Sequence, residues 1–316
     1  MFSQLRAARV EAMDTPIIAT KGLTKTYGKH AVVDKLDLEV PKGAVHGLLG
    51  PNGSGKSTTM KMLLGLTTPT SGEITVLGRP MTRATRGEVL TGIGSLIESP
   101  AAYPHLTGAE NMRIVTRLFK ADPAHAQRAV RLVRLEQHMD KQVKHYSLGM
   151  KQRLGIAIAL VRDPQLLILD EPTNGLDPAG IEEIRELIIS LARDEGRTVL
   201  VSSHLLSEIE KMATSLSIIN QGKLVFQGSQ QQLFDAHLPD LFIQTPAGDV
   251  AAEVLRASRP RTVTGGIELA GLADDDVAAA CAHLVSHGVP IHQVVRKRRS
   301  LEEIFIGMTG REGLSA

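Results

Sequence analysis

Short apolar runs rich in β-branched residues alternate with stretches of helical periodicity from Thr15 to about Gln232. Strands that recur between helices in this way are typical of an α/β fold with a largely parallel sheet. The pattern predicts strands at Ile17–Thr20, Leu36–Val40, Ala44–Leu49, Glu73–Leu77, Gly92–Ile97, Leu166–Leu169, Thr198–Val201, Leu216–Asn220 and Lys223–Gln227.

The segment 98–161 carries no strand pattern. Apolar residues recur there at helical spacing, as at Met112 and Val115, and further helices are predicted at Ala124–Leu135 and Met150–Val161. We therefore predict a helical insertion within the α/β core.

The periodicity changes again after about Leu233. The order β-α-β-α-β is predicted by the runs Leu241–Gln244, Val250–Ala257, Gly266–Ala270, Asp274–Ser286 and Ile291–Val295. We predict a main α/β domain over 16–235 and a small α+β domain over 236–316. Residues 1–15 are interpreted as a mobile extension, or as a segment upstream of a true start at Met13.

Composition narrows the class of protein. The 316 residues are 42% hydrophobic and 22% charged, with 36 Lys and Arg against 34 Asp and Glu. These values exclude a disordered chain, a collagen-like fibre and a disulfide scaffold. The near-neutral charge and an aromatic content of 3% give no general case for a nucleic-acid partner.

The single cysteine, Cys281, excludes an intramolecular disulfide and a cysteine zinc cluster, which fits a reducing compartment. We interpret it as a packed side chain in a helix rather than a reactive thiol. No run approaches the 18–20 apolar residues that span a bilayer, and Met1–Thr15 lacks the apolar middle of a signal peptide. These features lead us to expect a soluble intracellular protein.

The phosphate-binding pattern G-x-x-x-x-G-K-[ST] is matched by Gly50-Pro51-Asn52-Gly53-Ser54-Gly55-Lys56-Ser57-Thr58. An apolar strand precedes this segment and a helical stretch, Thr58–Leu66, follows it. Glycines allow several backbone N–H groups to face one anion at a helix N-terminus. Lys56 is predicted to reach the β- and γ-phosphates, and Ser57 to offer its hydroxyl to Mg²⁺. The alternative is a glycine-rich turn without a ligand.

A second candidate element is the apolar strand Leu166–Leu169, which ends in the adjacent acids Asp170 and Glu171. Alternation along a strand gives neighbouring side chains different directions and so different roles. Asp170 is predicted to hold Mg²⁺ through water, and Glu171 to act as the general base on the attacking water. The alternative is an acid pair with a purely structural role.

At this point the chain, from Ile17 to about Phe234, resembles the ATP-binding subunits of ABC transporters. The family signature is matched, in a degenerate form, by Ser147-Leu148-Gly149-Met150-Lys151-Gln152-Arg153. The resemblance implies a P-loop NTPase (RecA-like) core with a helical ABC subdomain over about 98–161. It also implies that Ser147 and Gly149 approach a γ-phosphate, whereas the sequence alone gives only a helix cap at Ser147.

Further matches follow in the family's order. The segment Asn174-Gly175-Leu176-Asp177 resembles the D-loop, which places Asp177 near the nucleotide, and His204 stands where the family's switch histidine senses the γ-phosphate. Tyr27 stands where the family stacks an aromatic ring on adenine. Without the resemblance, Tyr27 is equally well interpreted as a core residue.

Glu98 departs from the commoner family pattern, in which a glutamine ligates Mg²⁺ and contacts the membrane partner. The surrounding Glu98-Ser99-Pro100 and Tyr103-Pro104-His105-Leu106-Thr107 resemble the bacitracin- and lantibiotic-type branch. The resemblance implies that Glu98 is a Mg²⁺ ligand in this branch. The alternative is that the glutamate is not a mark of this branch and simply replaces glutamine as an oxygen ligand of Mg²⁺.

The C-terminal region offers a basic run, Arg296-Lys297-Arg298-Arg299. Two interpretations stand, a solvated turn or a contact with anionic lipid headgroups. The following Ser300-Leu301-Glu302-Glu303-Ile304-Phe305 resembles the ending of many drug-, bacitracin- and polysaccharide-type ATPases.

The resemblance implies an ATP-binding and hydrolysing subunit, with ATP and Mg²⁺ as cofactors. It implies that two chains pack head to tail and drive a separate membrane permease, which exports a peptide antibiotic or drug without cargo touching the ATPase. The protein would lie on the inner face of the cell membrane. The alternatives are a DNA-associated ATPase, which normally carries long coiled coils, and a ribosome-associated ATPase, which normally carries two cassettes.

Overall fold

The protein is described by a computed structural model that covers residues 15–98, 101–203 and 205–310. The chain divides into two compact units: the first extends to Gln230 and includes Thr309 and Gly310, and the second comprises Gln231–Met308. The boundary after residue 235 and the assignment of all of 236–316 to the second domain therefore remain predictions that differ in detail from these units. The predicted extension 1–15 lies, except for Thr15, outside the described residues.

The first unit contains two sheets and a helical segment. Its strands are β1 (Ile18–Tyr27), β2 (His30–Leu36), β3 (Glu39–Val40), β4 (Val45–Leu49), β5 (Ser71–Val76), β6 (Arg79–Pro80), β7 (Ile93–Leu96), β8 (Leu166–Leu169), β9 (Thr198–Ser202), β10 (Ser215–Asn220) and β11 (Lys223–Ser229). Its helices are α1 (Lys56–Leu63), α2 (Arg86–Val89), α3 (Gly108–Leu118), α4 (Pro123–Leu132), α5 (Leu148–Leu160), α6 (Pro178–Arg193) and α7 (Leu206–Met212). Helix α8 (Gln230–Asp235) contains the boundary between the units.

The larger sheet has the order β11-β10-β4-β9-β8-β7 and is parallel except for β11. Strands β4, β8 and β9 are buried at every position, as expected for central strands of a parallel sheet covered on both faces. The prediction of an α/β fold is thus confirmed. The carboxyl ends of parallel strands meet at one edge, and this edge carries the candidate site.

A second, antiparallel sheet was not anticipated by the sequence. It pairs the strands in the order β2-β1-β5-β6, with β3 also on β1. The predicted strand Leu36–Val40 is wrong in extent, because Leu36 ends β2 and only Glu39–Val40 continues as β3. In β2 only Val33 and Leu36 are buried, so its hydrophobic pattern was too weak to recognise.

One buried apolar cluster includes residues of both sheets, among them Leu23 of β1, Leu48 of β4 and Ile168 of β8. The helical segment that follows β7 begins with a capping box at α3: the Glu110 N–H donates to Thr107 Oγ1 at 3.1 Å, and the Thr107 N–H to Glu110 Oε2 at 2.8 Å. Helix α4 ends three residues before the predicted end at Leu135, and Arg134 has a left-handed φ of +54°.

The second unit is a small α+β fold. Its elements are β12 (Asp240–Gln244), α9 (Gly248–Val254), β13 (Arg261–Val263), β14 (Gly266–Leu269), α10 (Asp274–Ser286), β15 (Gln293–Lys297) and α11 (Leu301–Thr309). The sheet is antiparallel in the order β13-β14-β12-β15. The structure therefore keeps the predicted order β-α-β-α-β and adds β13 and α11. Cys281 lies half-buried in α10, where burial raises the pKa of its thiol.

The basic run is not a solvated turn, because it enters β15 and its side chains are paired within this unit. The pairs are Arg296 with Asp274, Lys297 with Glu268, Arg298 with the Phe234 ring and Arg299 with Asp240. Arg299 binds Asp240 through three hydrogen bonds of 2.8 to 3.2 Å. Arg296, Lys297 and Arg298 nevertheless remain exposed, and the contact found for Arg298 is with a ring rather than an acid, so the contact with lipid headgroups stays a prediction.

In the described ranges no helix is both long and apolar enough to cross a membrane.

Candidate active site

The phosphate-binding segment connects buried strand β4 to helix α1. Gly53 and Gly55 have φ of +76° and +104°, in the left-handed region that favours glycine. A Cβ at Gly50 would lie 2.3 Å from the carbonyl oxygen of Ile219, and one at Gly55 would lie 2.7 Å from that of Val32. The loop therefore requires glycine at these positions, which explains two fixed residues of the motif in physical terms.

The side chain of Lys56 lies inside the loop and contacts the backbone at its start. Its buried Nζ donates to the carbonyl oxygens of Gly50 at 2.7 Å and Pro51 at 3.1 Å. Burial lowers the pKa of Lys56, and the charges of Glu171 and Asp170 oppose that shift. The lysine is thus close enough to both acids to sense their charge.

The remaining loop residues divide by exposure. Asn52, Gly53 and Ser57 are exposed, and Thr58 is half-buried. The Ser54 hydroxyl is buried without a hydrogen-bond partner in the described part of the chain. Because Gly55 is the N-cap of α1 and has no side chain, no side chain caps this helix terminus. Its N–H groups therefore fit an anion such as a phosphate.

Asp170 and Glu171 follow β8 directly and are tied together by Ser202 at the end of β9. The Ser202 hydroxyl donates to Asp170 Oδ1 at 2.6 Å and accepts from the Glu171 N–H at 2.9 Å. Asp170 is buried, whereas Glu171 is half-buried with a left-handed φ of +51°. The two acids therefore have different environments, as their proposed roles require.

Glu98 follows β7 at the same sheet edge and forms an ion pair with Lys61 of α1, at 2.6 Å between Nζ and Oε1. The hydrogen bond from Lys61 lowers the pKa of Glu98, and the same bond raises the pKa of Lys61. Glu98 has a left-handed φ of +65°. Ser99 and Pro100 lie outside the described residues.

Tyr27, at the end of β1, is not a core residue, because 54% of it is exposed. The ammonium group of Lys25 lies 4.9 Å from the centre of its ring. An exposed ring is available for stacking on a planar ligand.

The signature residues lie at the start of helix α5. Ser147 is its N-cap, and its Oγ accepts from the Met150 N–H at 3.2 Å. The side chain of Leu148, which is 44% exposed, lies 3.1 Å from the Cβ position of Gly175. The signature and the D-loop therefore touch within one chain.

Asp177 is the N-cap of α6, where its Oδ1 accepts from the Gly180 N–H at 3.2 Å. This cap accounts for Asp177 locally, and its proximity to a nucleotide remains a prediction. His204 lies outside the described residues, so its role also remains a prediction.

The structure therefore brings part of the predicted site together. The phosphate-binding loop, Glu98 and the pair Asp170 and Glu171 share one edge of the parallel sheet. Ser147 and Gly149 form a separate group, and within the described ranges we find no hydrogen bond from either to the loop.

The donor set also fits a magnesium ion bound with phosphates. Within the described ranges no cluster of three or more His, Cys, Asp or Glu residues is placed to hold a metal by itself. Mg²⁺ typically uses one or two carboxylates, waters and substrate phosphates instead. Ser57, Asp170 and Glu98 supply oxygen atoms of this kind.

Sequence reasoning missed Ser202 and Lys61. Ser202 follows from strand order: Leu169 pairs with Val201, which sets Asp170 beside Ser202. A single sequence contains no signal for which strands are neighbours. The spacing from Ser57 to Lys61, one helical turn, was the only available indication that Lys61 shares a face with the site.

These features define a P-loop ATPase. The sequence profile described as ABC transporter matches residues 33–174. The chain is 37% identical over 304 residues to the bacitracin transport ATP-binding protein BcrA of Enterococcus faecalis, covering 95% of this chain and 98% of the relative. It is 45% identical to the lantibiotic transport ATP-binding protein SrtF of Streptococcus pyogenes, covering 67% of this chain and 90% of that protein.

Among solved structures, cbiO1 of Clostridium perfringens, part of the ABC transporter complex cbiONQ, superposes with a TM-score of 0.64 at 25% identity, covering 70% of this chain and 92% of cbiO1. The chain belongs to the ATP-binding proteins of the ABC transporters, and within them to the branch that includes bacitracin and lantibiotic transport ATPases. It is therefore an ATPase subunit. The DNA-associated and ribosome-associated alternatives are not favoured.

Proposed function

We propose that this chain hydrolyses Mg-ATP to drive a membrane permease that expels a peptide antibiotic of the bacitracin or lantibiotic type. The main support is the similarity to BcrA, which extends over 98% of that protein and so is not confined to the ATPase core. The name of BcrA, a transport ATP-binding protein, supports assigning the translocation path to a separate subunit. Binding to that permease then holds the chain at the inner face of the membrane.

Each candidate residue has a role in this proposal. The loop Gly50–Thr58 binds the phosphates through its N–H groups, and Lys56 exchanges its two carbonyl partners for phosphate oxygens. Mg²⁺, when bound, neutralises charge on the β- and γ-phosphates, and Ser57, Asp170 and Glu98 would hold it. Glu171 accepts the proton of the attacking water. Tyr27 stacks on the base.

We further propose that the site is completed by a second copy of the chain. The sequence holds one phosphate-binding loop, and Ser147 and Gly149 lie at the N-terminus of α5 next to the D-loop. A hydroxyl and a helix N-terminus there suit the γ-phosphate bound by the other chain. Asp177 would lie near the same phosphate, and His204 would sense a γ-phosphate, as the resemblance implies.

The substrate class is tested by expressing the chain with its candidate permease in a bacitracin-sensitive Bacillus strain. We expect the inhibitory concentration of bacitracin or of a lantibiotic to rise, and Lys56→Ala to abolish the rise. A panel of unrelated drugs provides the comparison. Unchanged peptide sensitivity, with an active ATPase and an assembled complex, contradicts the substrate proposal but not the assignment as an ATPase.

A further inference from the structure

Lys61 is the cation nearest to Glu98 in the described part of the chain, and the ABC signature motifs do not include it. It lies four residues after Ser57 on α1, and so one turn farther along the same helix face. Its Nζ donates to Glu98 Oε1 at 2.6 Å. Its carbonyl oxygen accepts from the N–H groups of Leu66 at 2.9 Å and Thr67 at 3.2 Å, which fixes its backbone at the end of the helix.

Lys61 also faces the site beyond this one contact. The negative charge of Asp170 contributes to raising the pKa of Lys61, so the ammonium group interacts with one of the two acids that also act on Lys56. Its side chain is 35% exposed, half the exposure of the Glu98 side chain at 70%. The helix holds the cation, and the more exposed carboxylate is directed toward it.

We propose that Lys61 is a positioning residue that neutralises Glu98 and aims it at the nucleotide site, so that the site accepts a carboxylate at this position. This inference rests on the proposed role of Glu98 as a ligand of the Mg-nucleotide. A carboxylate has two oxygens, so Oε1 can remain on Lys61 while Oε2 faces the metal. A glutamine side chain has one oxygen. If that oxygen faces the metal, only the amide NH₂ remains, and it cannot accept a hydrogen bond from an ammonium group.

The pair is therefore matched in charge. Removing the lysine leaves an additional negative charge beside the phosphates, and removing the glutamate charge leaves an additional positive one. Removing both restores the original net charge. A lysine that acts through Glu98 loses its effect when residue 98 is a glutamine, whereas a residue that only stabilised α1 keeps its effect, so a double-variant cycle separates the two roles.

The experiment measures binding of a fluorescent ATP analogue to the full chain, first with a chelator and then with increasing Mg²⁺. The variants are Lys61→Met, Glu98→Gln and the double variant. Because one exposed charge near the phosphates has a modest effect, we expect Lys61→Met to weaken metal-free binding roughly three- to tenfold. In the Glu98→Gln background the lysine has no carboxylate to position, so Lys61→Met should have a much smaller effect there, and the double variant should bind about as Glu98→Gln does.

Two controls accompany the cycle. Lys61→Arg keeps the charge and should bind nearly as the wild type does. Lys211→Met removes an exposed lysine that pairs with the largely buried Glu208 at 3.3 Å on α7, and it should leave binding unchanged. Circular dichroism confirms that each variant is folded.

The outcomes are distinguishable. If Lys61→Met has the same effect in the Glu98→Gln background as in the wild type, the two residues act independently and this inference is wrong, although the chain still binds ATP. If no variant, including the wild type, binds the analogue, the proposed function itself fails. A drop in Lys61→Arg as large as in Lys61→Met would also overturn the proposal, because charge would then not be the operative property.

Discussion

At the scale of single residues, Glu171 is set apart from Asp170 by its backbone. Its left-handed φ of +51° turns the chain immediately after β8, while Asp170 remains buried and bonded to Ser202. Positive φ at a non-glycine residue is uncommon, and such residues cluster at functional sites. In the proposed mechanism Glu171 acts on water from this position, while Asp170 stays anchored to Ser202.

This arrangement predicts the behaviour of Glu171→Gln. The amide cannot accept the proton of water, so hydrolysis should fall by roughly 10²–10⁴-fold while Mg-ATP binding remains. An ATP-bound dimer should accumulate, and size-exclusion chromatography with ATP would detect it. Glu186→Gln, on the exposed face of α6, provides the matched control. Near-normal turnover of Glu171→Gln would remove this residue from the catalytic role.

Ser202 supports a second residue-scale prediction. Ser202→Ala removes one donor and one acceptor from a buried site, and a buried polar group left unpaired costs about 1–3 kcal/mol. We expect kcat to fall more than KM rises, because the two acids lose their common anchor while the phosphate-binding loop is unchanged. Steady-state kinetics would measure this split, with Ser95→Ala on β7 as a control. Equal kinetics for wild type and Ser202→Ala would make the bridge irrelevant to turnover.

The residues of the site were predictable only where they are contiguous in sequence. The loop Gly50–Thr58 and the pair Asp170 and Glu171 are local motifs, and local backbone geometry explains their fixed positions. Ser202 depends on which strands are neighbours, and the contact of Lys61 with Glu98 joins residues 37 positions apart, so neither is visible locally. His46, a buried histidine of β4, carried no sequence signal at all.

At the scale of elements, His46 links β4 to β10 inside the parallel sheet. Its Nδ1 lies 2.9 Å from Ser215 Oγ, and its Nε2 lies 2.9 Å from Ser217 Oγ. The Ser217 hydroxyl in turn donates to Gln227 Oε1 of β11 at 3.0 Å. Burial lowers the pKa of His46 from 6.5 to about 3, so the imidazole is neutral in the folded protein. The strand that leads into the phosphate-binding loop is thereby held by a neutral polar network.

The buried, neutral state of His46 makes the stability of the folded protein depend on pH. Below pH 6.5 the unfolded chain binds a proton that the folded chain refuses, so stability is lost as the pH falls from 6.5 toward about 3. The loss attributable to His46 should reach about 2 kcal/mol by pH 5. Urea unfolding at pH 7.5 and 5.0 would measure it by comparison with His46→Gln, which keeps hydrogen-bonding groups but does not titrate. Identical pH dependence in the two proteins would contradict a buried neutral histidine.

Element prediction failed where burial is incomplete. The fully buried strands β4, β8 and β9 were recognised, because an uninterrupted apolar run is conspicuous. The antiparallel strand β2 and the short strand β13 present alternating or exposed positions and were missed. Their pairing partners supply stability that the local sequence does not reveal.

At the scale of the whole molecule, the candidate site residues of one chain fall into two separate groups. The phosphate-binding loop and the acids lie at one sheet edge, while Ser147 and Gly149 lie at the N-terminus of α5. A symmetric pair of chains in which each serves the other's nucleotide would use both groups. The second unit has its own buried core. Because the match to BcrA covers 95% of this chain, it extends beyond the matched ABC profile into this unit.

The composite arrangement predicts that two inactive variants restore each other. Ser147→Arg should abolish hydrolysis but leave nucleotide binding by its own loop largely intact, because Ser147 acts on the partner's ATP. Lys56→Ala should lose binding and hydrolysis. In an equal mixture, half of randomly formed pairs are heterodimers with one of two sites intact, so hydrolysis should recover to about a quarter of the wild-type rate. Light scattering or a tag-based pull-down must show that heterodimers form. Hydrolysis by Ser147→Arg alone at the wild-type rate would place the signature outside the site, because an arginine in contact with the γ-phosphate region would obstruct the closed dimer.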